Sequence, residues 1–294
     1  MIRGFASFTG AVALVAALGT GFVNSASAEP SFPADEFVAG NLVYVLMHEL
    51  GHAQISERAL PVLGGRDEDA ADVYAITTML AMGTTMSDWV LEQSAIGWFL
   101  LAKREERTRA TLTFYDEHGL DKQRAYQIVC LMVGSDPKKF KQLADESKLP
   151  DSRRESCGPD YRNASYSWQE LLKPHRRSPD RPKTRIDVVY GEAKGKLKVH
   201  ADSARAMRLL ETLADWAADE YVWKAPLTIE MRACGETGAN WSPFTRKIVL
   251  CYELAEELAE VYRKYGKGMP IATRKSAPLS MAAFVPISSS ALAK

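Results

Sequence analysis

Apolar side chains recur every three or four residues through the first half of the chain, which is the spacing of an amphipathic helix. The clearest example lies between residues 35 and 58, where the apolar positions are Phe37, Val38, Leu42, Val45, Leu46 and Leu50. Similar patterns predict helices over residues 68–82 and 125–133, one that begins at Ser87 and ends in the charged run 103–107, and one opened by Ser135-Asp136-Pro137. The first half is therefore predicted to be mainly helical.

The pattern becomes strand-like beyond residue 184. Residues 185–190, 227–231 and 247–250 are typical of short β-strands, and residues 203–223 of a helix between them. Gly235, Gly238 and Pro243 indicate a hairpin or wide loop before the last strand. These elements predict an α+β fold with a mainly helical half over residues 29–173, a charged, proline-containing linker over 174–184 and a smaller half over 185–265. The smaller half is expected to hold a mostly antiparallel sheet and to pack on the first.

The two ends of the chain differ in amino-acid composition from the rest. Arg3 is the only charged residue among the first 28, and it precedes the apolar run 11–18 and the triplet Ala26-Ser27-Ala28. This is the pattern of a secretory signal peptide, residues 1–28, with an A-x-A cleavage site. A membrane anchor is the alternative, but it needs a longer unbroken apolar run. We therefore expect an exported protein, periplasmic or secreted, with no stable membrane anchor after cleavage, and a poorly ordered Ser/Ala-rich tail over 266–294.

Charge and cysteine content narrow the function classes. The 294 residues include 37 Lys and Arg against 37 Asp and Glu, so no global basic field exists to attract a nucleic acid. In an oxidising compartment the four cysteines favour two disulfides over a thiolate metal site or a catalytic thiol. Three pairings are possible, and sequence order favours Cys130 with Cys157 and Cys234 with Cys251. Free buried thiols are the alternative.

The strongest chemical signal is the segment His48-Glu49-Leu50-Gly51-His52 on the first predicted helix. A spacing of four places both imidazoles on one face, where they can bind a single Zn²⁺ at about 2.0–2.1 Å. Glu49 then projects beside that face, in the position of the general base that H-E-x-x-H supplies in metalloproteases. Gly51 inside a helix indicates close approach of another element.

A catalytic zinc site needs a third protein ligand, and the second predicted helix can supply it. In the spacing E-x-x-x-D, Glu68 can bind the metal while Asp72 accepts the outer N–H of a ligand histidine. The small residues Ala70 and Ala71 would let the two helices pack closely. Taken separately, the histidines could lie on a solvated helix face, and the acidic residues could simply favour a helix N-terminus. Their combination favours the metal site.

These motifs resemble those of a family of bacterial metallopeptidases grouped as a domain of unknown function and related in motif to the gluzincin zinc peptidases. The resemblance begins with HELGHA at 48–53 and LPVLGGRDEDAAD at 60–72, continues through GSDP at 134–137, and includes the CYEL block at 251–254. It implies a zincin-like fold. In the family order the CYEL block precedes HELGH, whereas here it follows, as if the two halves had been exchanged. Where the family has an Asn-Ala pair, this chain reads Gly238-Ala239-Asn240-Trp241.

The resulting hypothesis is an exported zinc metallopeptidase, a hydrolase in which Glu49 takes a proton from a metal-activated water and delivers it to the leaving amine. The substrate is a peptide or protein, and an extended peptide could lie along the edge of one of the predicted strands. Candidates for stabilising the oxyanion are His118, Arg124 and Tyr126. The alternative is an exported zinc- or peptide-binding protein without catalysis, which would have no need of a base at Glu49.

Overall fold

The computed structural model describes residues 33–62 and 66–267 of the chain. The predicted signal peptide, its cleavage site and the tail beyond 267 lie outside the described residues. The helices are α1 Pro33–Arg58, α2 Asp67–Met82, α3 Thr85–Thr108, α4 Asp121–Ser135, α5 Lys141–Glu146, α6 Asp151–Leu172, α7 Lys198–Ala206, α8 Leu209–Glu220 and α9 Tyr252–Tyr265. The strands are β1 Ile186–Tyr190, β2 Leu227–Arg232, β3 Ala239–Ser242 and β4 Lys247–Cys251. None of the helices in the described part of the chain has both the length and the apolar composition needed to cross a membrane.

Helix α1 lies in the centre of the molecule and is enclosed by α2, α3, α9 and β3. Phe37, Leu46 and Leu50 are completely buried, and apolar residues cover most of the helix circumference. A helix that is apolar nearly all round belongs in the core of a large fold. The polar residues His48 and Glu49 are buried with it, and buried polar groups require partners.

A glycine and a pair of capping hydrogen bonds define the end of α2 and the start of α3. Gly83, with a φ of 64°, ends α2 in the left-handed conformation that glycine adopts without strain. Thr84 then caps α3, because its hydroxyl accepts the N–H of Ser87 while the Ser87 hydroxyl accepts the N–H of Thr84. The turn between the helices is therefore tight, and α3 packs against both α1 and α2.

The fold is α+β with a four-stranded mixed sheet in the order β1-β2-β4-β3. The prediction of a mostly antiparallel sheet is wrong, because β1 pairs with β2 and β2 with β4 in parallel, and only β3 and β4 are antiparallel. Helices α7 and α8 form the crossover that a parallel connection from β1 to β2 requires. After β2 the chain passes to the edge as β3 and returns as β4 between β3 and β2, so β4 runs parallel to β2.

Two predicted helices differ from those observed. The helix predicted over 203–223 is divided into α7 and α8, and Arg208 between them has a left-handed φ of 54°. The prediction that Ser135-Asp136-Pro137 caps the next helix is wrong, although the Asp136 carboxylate does accept the N–H groups of Lys138 and Lys139. These two residues lie in a turn, and the next helix begins only at Lys141.

Two disulfides connect separate elements. Cys130 of α4 is bonded to Cys157 of α6, and Cys234, in the loop before β3, is bonded to Cys251 at the end of β4. These are the pairings that sequence order favours. The second bond holds the β2–β3 loop against β4, where the Glu253 carboxylate also accepts the N–H groups of Cys234 and Gly235.

Candidate metal centre

Close packing between α1 and α2 creates the site. A Cβ placed on Gly51 would lie 3.0 Å from both the Cα of Ala71 and the ring of Tyr74. Only a glycine on α1 and a small residue on α2 allow this separation. The approach brings the N-terminal turn of α2, which carries Glu68, to the face of α1 that carries His48 and His52.

Three potential ligand atoms converge between the helices. His48 Nε2 lies 3.1 Å from His52 Nε2 and 3.1 Å from Glu68 Oε2, and His52 Nε2 lies 3.3 Å from Glu68 Oε2. Two imidazoles and a carboxylate form the nitrogen and oxygen donor set of catalytic zinc sites, and tetrahedral ligands at the usual bond length are separated by about 3.3–3.4 Å. The observed triangle is close to these edges. The three residues therefore fit a single divalent metal ion.

Asp72 orients the first of these ligands. Its Oδ1 lies 2.8 Å from His48 Nδ1, so that Nδ1–H donates to Asp72 and Nε2 is directed at the other ligand atoms. Burial opposes protonation of His48, but hydrogen bonds to Asp72 and Glu68 outweigh it and raise its pKa to about 9. A bound metal would have to displace this proton.

Asp72 is itself held in a buried network. Arg124 donates to it twice, from Nε to Oδ2 and from Nη2 to Oδ1, both at 2.7 Å. The Tyr44 hydroxyl donates to Oδ1 at 3.0 Å. Burial alone would raise the pKa of Asp72, yet the charge of Arg124 and the hydrogen bond with His48 lower it well below its usual value. Asp72 is therefore an ionised carboxylate inside the core.

Glu49 lies beside the ligand triangle without belonging to it. Its side chain is buried, and the backbone N–H of Trp241 on β3 faces its carboxylate. Burial raises the pKa of Glu49, although the neighbouring His48 and His52 act in the opposite direction. A buried carboxyl group with a raised pKa, next to a candidate metal site, is chemically able to act as a general base.

Of the three candidate oxyanion stabilisers, only His118 contacts a ligand residue. It lies in the loop between α3 and α4, with Nε2 2.9 Å from Glu68 Oε2 and Nδ1 3.2 Å from Asp116. The hydrogen bond to Glu68 raises the pKa of His118. The side chain is 45% exposed, so it can meet a molecule arriving from solvent.

Arg124 and Tyr126 have other partners. Nε and Nη2 of the Arg124 guanidinium donate to Asp72, and its Cζ lies 3.8 Å from the centroid of the Trp98 ring. The Tyr126 hydroxyl donates to the carbonyl of Ser147, and its ring packs edge-on against Phe99. The structure thus brings Arg124 to the site as a support for Asp72 and does not bring Tyr126 there.

Two further residues lie beside the candidate metal centre, and the sequence motifs did not predict a role for them. Tyr44 precedes His48 by four residues, and Ser56 follows His52 by four, so both lie on the ligand face of α1. This spacing is the signal that could have identified them. Ser56 Oγ accepts the indole N–H of Trp241 at 2.7 Å.

Another group of potential ligands in the described residues is Cys234, Cys251 and Glu253. Its two sulfur atoms are bonded to each other, and the carboxylate is bonded to backbone N–H groups. This group is therefore a structural support for the loop before β3.

A family model described as "Putative metallopeptidase" matches residues 12–172 and 192–285, which together form most of the chain. No curated protein and no solved structure shows significant similarity to it.

Proposed function

Because the chain belongs to the putative metallopeptidase family, we propose that it is an exported, zinc-dependent peptidase with Glu49 as its general base. The observation that carries the proposal is the triangle of His48, His52 and Glu68, whose ligand atoms lie 3.1–3.3 Å apart with a buried carboxylate beside them. Metal-assisted hydrolysis of a peptide bond uses both a Lewis acid and a base. On α1, the two candidate histidine ligands and the candidate base Glu49 lie next to one another.

Zinc is the metal that this donor set favours. Two imidazoles and one carboxylate leave a fourth tetrahedral position open, as catalytic zinc sites do. A zinc ion supplies a Lewis acid that polarises a carbonyl and lowers the pKa of water to about 7. Asp72 keeps His48 in the tautomer that binding requires.

The protein groups around the metal then handle the proton. Glu49 takes a proton from the attacking water and delivers it to the leaving amine. The backbone N–H of Trp241 faces the Glu49 carboxylate and favours its ionised form. His118 is the side chain assigned to the oxyanion, because it is half exposed and already contacts Glu68.

The peptide substrate would lie along β3. Within the described residues β3 pairs only with β4, which leaves its other edge for a further strand. An extended peptide bound there by backbone hydrogen bonds would pass over Glu49, since the N–H of Trp241 reaches that residue. A metal-binding helix beneath the edge strand of a sheet is the arrangement expected of a zincin-like fold.

Two further parts of the proposal concern the chain as a whole. The two disulfides support export to an oxidising compartment. We also infer that the two halves stand in exchanged order relative to the family. The family match is interrupted at residues 173–191, which include the connection after α6 and strand β1.

The decisive experiment combines metal analysis with a peptidase assay on dye-labelled casein and a fluorogenic peptide library. We expect one zinc per chain in the wild type and in Glu49→Gln, with cleavage lost in Glu49→Gln. Cleavage that survives this substitution would exclude Glu49 as the base. Bound zinc with no cleavage by the wild type under any condition would favour the inert zinc- or peptide-binding protein.

A further inference from the structure

Trp241 faces α1 at two points. Its indole N–H donates to the Ser56 hydroxyl at 2.7 Å, and its backbone N–H lies close enough to the Glu49 carboxylate to lower the pKa of that group. The Ser56 hydroxyl also lies 3.4 Å from the carbonyl oxygen of Ala53, to which it can donate. A single residue of the edge strand thus connects β3 to two turns of the helix that carries the candidate ligands.

The two attachment points define a line along the helix. Glu49, His52 and Ser56 follow the spacing i, i+3 and i+7, which places them on one stripe of α1. Seven residues of helix extend about 10 Å. The metal ligand His52 lies between the two points, so Trp241 spans the part of the helix where the peptide bond must be presented.

The register of the sheet explains why this attachment matters. Trp241 pairs with Ile248 and Asn240 with Val249 in the antiparallel β3–β4 pair, and Gly238 accepts the N–H of Cys251. Alternate residues in such a pair direct their N–H and C=O groups away from the partner strand. Ala239 and Trp241 therefore direct their N–H and C=O groups at the free edge, and the Trp241 N–H on that edge faces Glu49.

Ala239 and Trp241 of β3 also pack against the hydrophobic core. The strand has four residues and, in the described chain, one neighbouring strand, and the loop before it is fixed to β4 by the Cys234–Cys251 disulfide. Phe244, in the turn after it, is 97% exposed. The indole hydrogen bond of Trp241 thus joins β3 to the turn of α1 that follows the candidate ligand His52.

We propose that Trp241 is a positioning residue that sets the height of the β3 edge above the metal-facing stripe of α1 through its indole bond to Ser56. The proposal rests on the proposed function, because the edge is useful only if a peptide binds to it. A correctly placed edge lets the peptide pair with β3 while its scissile carbonyl reaches the metal and Glu49. Without the indole bond, β3 becomes ordered only when a peptide binds. The free-energy cost of this ordering weakens peptide binding and leaves the chemical step unchanged.

The test is a double-mutant cycle with Trp241→Phe and Ser56→Ala. Trp241→Phe keeps an aromatic ring and the backbone N–H to Glu49 but removes the indole donor, whereas Ser56→Ala removes the acceptor. For the fluorogenic octapeptide that the wild type cleaves best, we expect each variant to raise KM about threefold to tenfold, the range that one hydrogen bond supplies. We expect kcat to change less than twofold and the double variant to equal the single variants, because both remove the same bond.

The matched control is Ser167→Ala, which removes another exposed helical serine whose hydroxyl donates to a carbonyl four residues earlier. It should leave KM, kcat and zinc content unchanged. Unchanged KM in both Trp241→Phe and Ser56→Ala, or additive effects in the double variant, would overturn the proposal. A loss confined to kcat would also overturn it.

A second measurement separates this proposal from the peptidase function. In the zinc-loaded protein, a tetrapeptide hydroxamate should bind threefold to tenfold more weakly to Trp241→Phe and Ser56→Ala, whereas acetohydroxamate, which is too short to pair with β3, should bind equally well. This result would support the positioning role even if no variant cleaved any peptide. Equal binding of the peptide hydroxamate to all variants would refute that role while leaving the metal site and its base untouched.

Discussion

Arg124 and Asp72 form a bidentate ion pair in the core, with two contacts of 2.7 Å between residues that are 8% and 2% exposed. Asp72, held in place by Arg124, lies 2.8 Å from His48 Nδ1 and so fixes the orientation of the imidazole. The candidate metal centre is thus supported by an arginine that touches none of the three ligand atoms. The support has a measurable consequence for stability as well as for metal binding.

Replacing Arg124 with methionine should destabilise the protein by about 3–5 kcal/mol, because a buried carboxylate loses its countercharge. Arg124→Lys should recover only part of this, since an ammonium group cannot reproduce the two-pronged geometry. Urea unfolding of the metal-free protein measures both. The control is Arg153→Met, which breaks an exposed pair with Asp160 and should cost less than about 1 kcal/mol. Equal costs for Arg124→Met and Arg153→Met would show that the buried network is not a major source of stability.

Glu68→Gln should weaken zinc binding more than the roughly 10- to 100-fold loss that follows removal of an outer hydrogen-bond partner. The substitution preserves shape but removes the anionic ligand atom that lies 3.1–3.3 Å from both histidine nitrogens. Competition with a fluorescent zinc chelator measures the affinity. Asp69→Asn removes the neighbouring carboxylate in the same helical turn, which is 44% exposed and pairs with Arg66. Comparable losses in the two variants would refute the assignment of Glu68.

Zinc binding should release a proton from His48 at neutral pH. Burial disfavours the charged ring, but Asp72 and Glu68 raise its pKa to about 9 in the metal-free protein, above the usual value of about 6.5. Calorimetry at pH 7.5 in buffers of different ionisation enthalpy should therefore detect about one proton per zinc from this group, and fewer above pH 9. Proton release that is zero at pH 7.5 would contradict a protonated His48.

The same shift gives the metal-free protein a defined pH dependence. Because the folded-state pKa of His48 lies above the unfolded value, its stabilising contribution is complete below about pH 6.5 and is lost as the pH rises through 9. Thermal unfolding in the presence of a chelator should show a decline across this window. His48→Gln should flatten the decline, and an identical pH profile in that variant would assign it to another group.

Gly51→Ala should affect zinc affinity and stability differently. Alanine favours a helix by about 1 kcal/mol, but its Cβ would lie 3.0 Å from the backbone of Ala71 and push α2 away from α1. We expect little net gain in stability and a clear loss of zinc affinity. Gly158→Ala is the matched control, because that helical position meets only the flexible end of Arg162 at 3.3 Å, and it should stabilise the protein with zinc binding unchanged. Unaltered zinc affinity in Gly51→Ala would show that the helix spacing tolerates adjustment.

The ligand-bearing part of the site was accessible from sequence because it is local. His48 and His52 are one turn apart, and Glu68 and Asp72 follow on the next helix, so helical periodicity and a short connection suffice to place them together. Gly51 indicated close packing for the same reason. The roles of Glu49 and of zinc stay predictions that the experiments above address.

The remaining parts depend on tertiary packing that no local pattern encodes. His118 meets Glu68 from a loop 50 residues later in the chain, and Arg124 turns toward Asp72, although its sequence position was equally compatible with a role at the oxyanion. Strand direction was misjudged because the apolar pattern of a strand does not specify its partner's orientation. The predicted helix between β1 and β2 was the better guide, since a connection of that length permits a parallel pair.

The separation of Glu49 from Trp241 along the chain has a consequence for the newly made protein. Every ligand atom of the candidate centre and its orienting Asp72 are present once synthesis has passed residue 82, whereas the strand that reaches Glu49 is added almost 160 residues later. Chains are made from the N-terminus, and folding of early segments precedes that of late ones. The candidate ligands are therefore synthesised well before the strand that would present a peptide to them.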